Sequence, residues 1–270
     1  GSREAIAETK SELVQSLPPS GVAVLNADDA IVAAMAAKTA GRVVLVGRSE
    51  NADVRAEDVV LDELARPRFT LRTAAGTVPV QLAVHGEHQV GNALSAAAVA
   101  LECGATLEQV ANALAGAGPT SRHRMEVHTR PDGVTVINDA YNANPESMRA
   151  GLQALAVMAR GEHKRSWAVL GEMGELGEES ITEHDRIGRL AVRLDISRLV
   201  VIGTGRPMSA MHQGAVMEGS WGSEATIVPD ADAALALLRA ELQPGDVVLV
   251  KASNAAGLGA LAEALAEDRG

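Results

Sequence analysis

A chain of 270 residues can hold one large or two ordinary domains, and 47% hydrophobic residues provide for a sizeable core. Aromatic residues are only 1%, so that core must be built from Ala, Val, Leu and Ile, which suits sheets covered by closely packed helices. A formal net charge of −11 excludes a general phosphate-backbone binder, which needs a basic face, and no apolar run reaches the ~18 residues that span a bilayer. The single cysteine, Cys103, excludes a disulfide framework and reads as a small buried residue. With no signal peptide visible, a cytoplasmic protein is the expectation.

In chain order, residues 1–17 have helical periodicity, with Ile6, Leu13 and Leu17 on the apolar side. Val22 to Leu25 predicts a short buried strand. Asn26-Ala27-Asp28-Asp29 then caps a helix to about Thr39, and Val43 to Val46 predicts a second strand. Residues 51–64 are polar and acidic and read as irregular. Arg68 to Arg72 and Val78 to Val84 flank Ala74-Ala75-Gly76 as a hairpin. An Ala-rich helix over 89–103 and a second over 106–114 follow.

The small residues and proline of 115–121 interrupt all periodicity and make the best linker, dividing the chain into 1–120 and 121–270. Beyond it, strands are expected at 125–129, 134–137, 167–170, 199–202, 226–228 and 247–250, and helices near 146–159, 180–195, 231–241 and 256–267. This alternation predicts a doubly wound, Rossmann-like α/β domain.

Asn138-Asp139-Ala140-Tyr141-Asn142-Ala143-Asn144-Pro145 follows a strand and precedes a helix, where open α/β sheets bind ligands. It also fits a simple polar turn. His88 and Asn92 share one helix face near a helix start, a place that favours phosphate or carbonyl oxygens, and Asn can pair with an adenine edge. Capping by His88 with an incidental Asn92 is the plainer alternative. Ser121-Arg122-His123-Arg124 at the joint offers two guanidinium forks for phosphate or carboxylate, or a solvated hinge. In Gly171-Glu172-Met173-Gly174-Glu175-Leu176-Gly177 the glycines allow close backbone approach, but Glu172 and Glu175 repel pyrophosphate. Lys251 and Ser253 close the last strand, where they either contact an anionic substrate or are simply exposed. Lys10 by itself is a surface lysine flanked by acids. The chain has no G-x-x-x-x-G-K-[ST], so it carries no Walker-type triphosphate cradle of its own.

Taken together, several stretches resemble the Mur ligase family of ATP-dependent amide ligases. They are residues 1–7 with Lys10, Asn26-Ala27-Asp28-Asp29, the 86–92 segment, Arg124-Met125-Glu126 and the Asp139–Pro145 stretch. The 170–177 turn with His184, and Lys251-Ala252-Ser253, complete the set. The resemblance implies the C-terminal part of a central P-loop ATPase-type domain followed by a Rossmann-like domain. It also implies that an N-terminal part carrying the P-loop and a uridine-nucleotide domain is missing.

The Tyr-Asn-Ala-Asn and Gly-Glu-Met-x-Glu-Leu-Gly sequences point to the branch that joins D-alanyl-D-alanine to UDP-N-acetylmuramoyl-tripeptide, with ATP and Mg2+ as cofactors. By the same resemblance, Lys10 is the lysine that is carbamylated and, in that state, a magnesium ligand. His88 and Asn92 lie on the adenine side, Arg124 reaches ATP phosphate on domain closure, and Asp139 binds ribose beside Tyr141 and Asn142. Asn144, Lys251 and Ser253 are substrate-side positions. The implied chemistry runs through an acyl phosphate, and the chain alone is expected to be inactive. The rival readings are a non-catalytic nucleotide- or partner-binding Rossmann-like module and another Mur ligase specificity.

Overall fold

The computed structural model describes residues 3–119, 121–160, 164–220, 222 and 224–268. Gly1, Ser2 and Thr120, which the sequence reading used, lie outside them. The chain divides into two compact units, one of residues up to 62 with 66–118, the other of 63–65 with 119 onward.

The first unit opens with helix α1 (Arg3–Gln15), strand β1 (Val22–Asn26), the short helix α2 (Ala30–Ala34) and β2 (Arg42–Gly47). Asp29 caps α2 by accepting from the Ile31 and Val32 amides. A 3-10 turn over Met35–Lys38, instead of more α-helix, completes the span expected to reach Thr39. Strands β3 (Val54–Leu61), β4 (Pro67–Thr73) and β5 (Gly76–Gln81) finish a five-stranded sheet in the order β1-β2-β3-β4-β5. The first three strands run parallel and the last two pair antiparallel. Helices α3 (Gln89–Glu102) and α4 (Leu107–Gly116) supply Leu94, Ala97 and Val110 to a core shared with Val44, Phe69, Leu71 and Val80.

Two expectations are corrected in this unit. Residues 54–61, read as irregular, form β3. Val54 and Ala56 point into the core, but the pairing register shifts between Glu57 and Val60, with Asp58 in a left-handed conformation (φ 53°). That bulge breaks the alternation by which strands are recognised, and Glu57 is neutralised by Arg55 and by Arg72 across the ladder. Cys103, expected to be buried, is exposed because it is the residue that ends α3, beyond its last buried turn.

The second unit is a six-stranded sheet, β6 (Glu126–Thr129), β7 (Thr135–Asn138), β8 (Ser166–Leu170), β9 (Arg198–Ile202), β10 (Ala225–Val228) and β11 (Val247–Lys251), in the order β10-β9-β8-β11-β7-β6. Only the β6 edge is antiparallel. Strands such as Ser166–Leu170 and Val247–Lys251 are buried at every residue, as expected for a parallel sheet covered on both faces. Helices α5 (Pro145–Met158), α6 (Ser180–Arg193) and α7 (Arg206–Glu218) lie on one face, packing Leu152, Ile187 and Met211 onto Ile137, Leu170 and Leu249. Helices α8 (Ala231–Glu241) and α9 (Gly259–Glu267) cover the other, with Leu238 and Leu261 against Trp167, Val169 and Val250.

The chain steps from β7 through β8 and β9 to β10, then returns by α8 to place β11 between β7 and β8. Right-handed crossovers require the reversal to change faces. Helix α7 has no counterpart among the expected helices. It begins at Gly205-Arg206-Pro207, with proline in its first turn, and crosses α6 where Gly188 and Gly214 let the backbones meet. A Cβ at Gly188 would stand 1.8 Å from the Met211 carbonyl oxygen. Its small and polar residues blur the apolar stripe that identifies a helix. Among the described residues, no helix is long and apolar enough to cross a membrane.

Candidate functional site

Strands β7 and β11 are parallel neighbours whose following segments leave toward opposite faces, to α5 and to α9. Such a point in an open α/β sheet forms a crevice at the carboxyl edge. The 138–145 stretch lies there. Asn138, almost buried, donates to the Gly259 carbonyl (3.3 Å) and accepts from the Ala140 amide, which sets the turn leaving β7. The Asp139 amide continues the ladder to the Val250 carbonyl at 2.9 Å. Ala140 and Ala143 face inward, leaving Tyr141 and Asn142 exposed. Asn144 caps α5, accepting from the Ser147 amide while Ser147 reaches back to the Asn144 amide, and Pro145 occupies the first helical turn.

This turn is stitched to the segment just after the linker. The Tyr141 amide donates to the His123 carbonyl at 3.0 Å, and the Met125 amide donates to Asp139 Oδ1 at 3.1 Å. His123 and Met125 both adopt left-handed backbone (φ 59° and 49°), a conformation that costs energy for non-glycine residues and tends to occur at functional sites. Between them, Arg124 lays its guanidinium 4.1 Å from the centroid of the Tyr141 ring. That stacking leaves the N–H edge of Arg124 available to an anion. The His123 ring packs where Gly259 has no side chain, and its Nε2 lies 2.8 Å from Glu263, which Arg122 also pairs. The His123 hydrogen bond, with the Arg122 charge, holds the Glu263 carboxyl below its ordinary range.

Lys251 closes the site from beneath. Its side chain is only 2% exposed, so the alternative of a simply exposed lysine is wrong; burial between β7, β8 and α5 is the reason. Nζ lies 2.6 Å from Asp139 Oδ2 and 2.9 Å from the Asn142 carbonyl. The Asp139 side chain remains 14% exposed. Ser253, nearly buried, donates its amide to the Glu172 carbonyl at 2.8 Å, joining the turn after β11 to the glycine turn after β8. A Cβ at Gly171 would fall 2.8 Å from Ala252 Cβ, so close backbone approach is the reason for that glycine.

The same turn is braced by His184, which is fully buried on α6. Its Nε2 accepts from the Met173 amide at 2.9 Å, and its Nδ1 donates to the Ser180 carbonyl at 2.6 Å. Burial pushes its pKa below the ordinary imidazole value of 6.5, although the Ser180 hydrogen bond opposes the shift, so His184 is neutral. Farther along this edge lies a cleft of about 360 Å3 between the ends of β8, β9 and β10, bordered by Glu172, Thr204 and Asp230. The Gly171-Glu172 end of the glycine turn, singled out in the sequence, forms part of its border.

Arg124, Asp139, Tyr141, Asn142, Asn144, Lys251 and Ser253 thus come together on the second unit. Lys10, His88 and Asn92 belong to the first. Lys10 is exposed on α1, and His88 and Asn92 are exposed at the start of α3. No side-chain cap bond is made by His88, while Asn92 Nδ2 donates to Gln89 Oε1 at 2.9 Å. Asp28 accepts from the Ser49 side chain and from the Arg48 and Ser49 amides. Burial would raise its pKa, but these bonds outweigh it and lower it. Among the described residues, no group of three His, Cys, Asp or Glu could hold a metal. A carbamate on Lys10 would offer one hard oxygen ligand of the kind magnesium takes.

Residues 1–100 match the Mur ligase middle domain, and residues 123–254 match the Mur ligase, glutamate ligase domain. A Mycobacterium bovis protein named UDP-N-acetylmuramoyl-tripeptide--D-alanyl-D-alanine ligase is 68% identical over 281 residues, covering 99% of this chain and 55% of the relative. A Mycobacterium leprae protein of the same name is 63% identical, covering 99% and 56%. The chain therefore spans about half the length of the curated relatives it matches. Among solved structures, MurF from Acinetobacter baumannii superposes with a TM-score of 0.86 at 30% identity, over 99% of this chain and 56% of that one. MurF ligase from Thermotoga maritima in complex with ADP, at 24% identity, shares the fold with a TM-score of 0.82, over 99% and 58%. Two matched domains in family order, on a fold shared from end to end, establish that the chain belongs to the Mur ligase family.

Proposed function

We propose that this chain forms part of an ATP-dependent ligase that joins D-alanyl-D-alanine to UDP-N-acetylmuramoyl-tripeptide, in the cytoplasm, during peptidoglycan precursor synthesis. The observation that carries this reading is the 68% identity, across 99% of the chain, to a relative named for that reaction. ATP supplies activation of the tripeptide carboxylate as an acyl phosphate, which the dipeptide amine attacks with loss of phosphate. Because the chain has no Walker-type cradle, we assign triphosphate binding to the part of the relatives' length that it does not match.

Each residue then has a defined task. His88 and Asn92 face adenine, and Asp139 accepts from the ribose hydroxyls with Asn142 beside it. The stacked Arg124 donates its free edge to phosphate oxygen, where fixed positive charge stabilises negative charge that builds up in transfer. Asn144 and Ser253 lie on the substrate side. Carbamylated Lys10 would hold Mg2+, which neutralises phosphate charge when bound.

Supplying the unmatched portion of the relatives' length to the chain tests this directly. Phosphate release should then require both the UDP-linked tripeptide and D-alanyl-D-alanine, while the 270-residue chain alone releases none. ATP-dependent release by the chain alone, or turnover with a single amino acid in place of the dipeptide, would overturn the reading.

A further inference from the structure

We infer that Lys251 is a positioning residue that acts only through Asp139 and the Asp139–Asn142 turn, without touching the peptide substrate. The inference rests on the reading above that Asp139 faces the nucleotide. An ammonium has three N–H donors; two bond acceptors at short range and the third faces a carbonyl at the limit of hydrogen bonding. Nζ lies 2.6 Å from Asp139 Oδ2, 2.9 Å from the Asn142 carbonyl and 3.5 Å from the Asp139 carbonyl. With 2% of the side chain exposed, no donor remains for a ligand.

The helix opposite packs closely over this lysine. Gly151 stands in the middle of α5, where glycine costs roughly 1 kcal/mol against alanine. A Cβ there would lie 3.3 Å from both Lys251 Cδ and Leu249 Cδ2 and 3.8 Å from Asp139 Oδ2, so glycine lets α5 pack closely over the lysine stem and its neighbour. The backbone of the same residue reinforces the arrangement: the Lys251 carbonyl accepts from the Gly171 amide at 3.0 Å.

The pair gives Asp139 two properties a ribose contact needs. Oδ1 is held by the Met125 amide and Oδ2 by Lys251, which fixes the carboxylate while leaving each oxygen a second lone pair. Lys251 also neutralises the carboxylate, which would otherwise repel a polyphosphate nearby. A substituted arginine would bring a broad planar fork where a single ammonium now reaches its acceptors.

Kinetics of the completed ligase carrying Lys251→Met, Asp139→Ala or both changes test the assignment. A positioning role predicts that Lys251→Met raises KM for ATP about tenfold, the equivalent of one lost charge-assisted hydrogen bond, with KM for D-alanyl-D-alanine unchanged. The double variant should be no worse than Asp139→Ala alone. A raised KM for the dipeptide with ATP unaffected, or effects that add, would refute it.

If Lys251→Met does not fold, the wild-type enzyme still decides. The 15N resonance of the Lys251 ammonium should shift on adding ADP and stay in place on adding D-alanyl-D-alanine; the reverse pattern refutes the inference. A wild-type enzyme without dipeptide-dependent turnover refutes the proposed function instead, so the two failures are distinguishable.

Discussion

An ion pair with one deeply buried partner stands at each end of strand β11, and the two pairs are built for different work. At the amino edge, Asp246 is 1% exposed and takes Arg165 through Nε (3.0 Å) and Nη2 (2.6 Å), Trp167 Nε1 (3.0 Å) and the Gln243 amide (2.9 Å). The Arg165 and Arg198 guanidinium groups both lie over the Trp167 ring. Asp246 gives its oxygens to framework groups, and the partly exposed partner here is the cation, Arg165. At the carboxyl edge, Lys251 is the deeply buried partner and Asp139 keeps an exposed edge, next to an exposed tyrosine and an arginine in a strained segment. In one pair the carboxylate is the buried partner and serves as a clamp; in the other the cation is buried and the carboxylate is held out toward whatever binds at the crevice. Burial of charge therefore does not by itself mark function; which partner stays open to the crevice does.

Breaking the clamp should have the largest effect on stability and none on ligand affinity. Asp246→Ala leaves a guanidinium and an indole N–H without their partner, and should cost about 3 kcal/mol in denaturant unfolding. The ATP KM of the completed ligase should stay unchanged at a temperature where the variant is folded.

The His184 brace sharpens the contrast by pH. Its folded pKa lies below 6.5, so under acid conditions the unfolded chain takes up a proton that the native chain refuses. Stability is therefore complete above about pH 6.5 and falls as pH drops below it, by at most about 1.4 kcal/mol per pH unit. His184→Gln, tracked by the same denaturant midpoints, should lose this part of the acid dependence.

The smallest effect is expected at Tyr141. Tyr141→Leu removes the surface beneath Arg124, worth about 0.5–1 kcal/mol, and should raise the ATP KM severalfold, whereas Tyr141→Phe keeps the ring and should match wild type. Equal effects of the two changes would mean that the hydroxyl, not the stacking, matters.

Much of this was legible beforehand, and the rest was hidden for physical reasons. The parallel strands of the second unit read out as unbroken apolar runs because both their faces are covered. Asp139 stood out as the carboxylate at the end of such a run. Strand β3 escaped because its bulge destroys the period of two, and α7 because small residues at its crossing with α6 replace an apolar stripe. A lysine at a strand end looks solvent-exposed in one dimension; its burial comes from the fold, which packs α5 over its stem at Gly151, 100 residues away. Likewise, nothing local pairs Arg124 with Tyr141, since a folded turn brings them together. Lys10, His88 and Asn92 belong to the first unit, and their roles rest on the family resemblance.

The central claim is that the carboxyl end of this sheet, and not its amino end, faces the nucleotide. Its most direct test is the ATP KM of the completed ligase with Asp139→Asn set beside that with Asp246→Asn, both measured where each variant is folded. The account predicts a rise of about tenfold for the first, one hydrogen-bonding interaction's worth, and no change for the second. An unchanged KM for Asp139→Asn, or an equal rise for both, would contradict it.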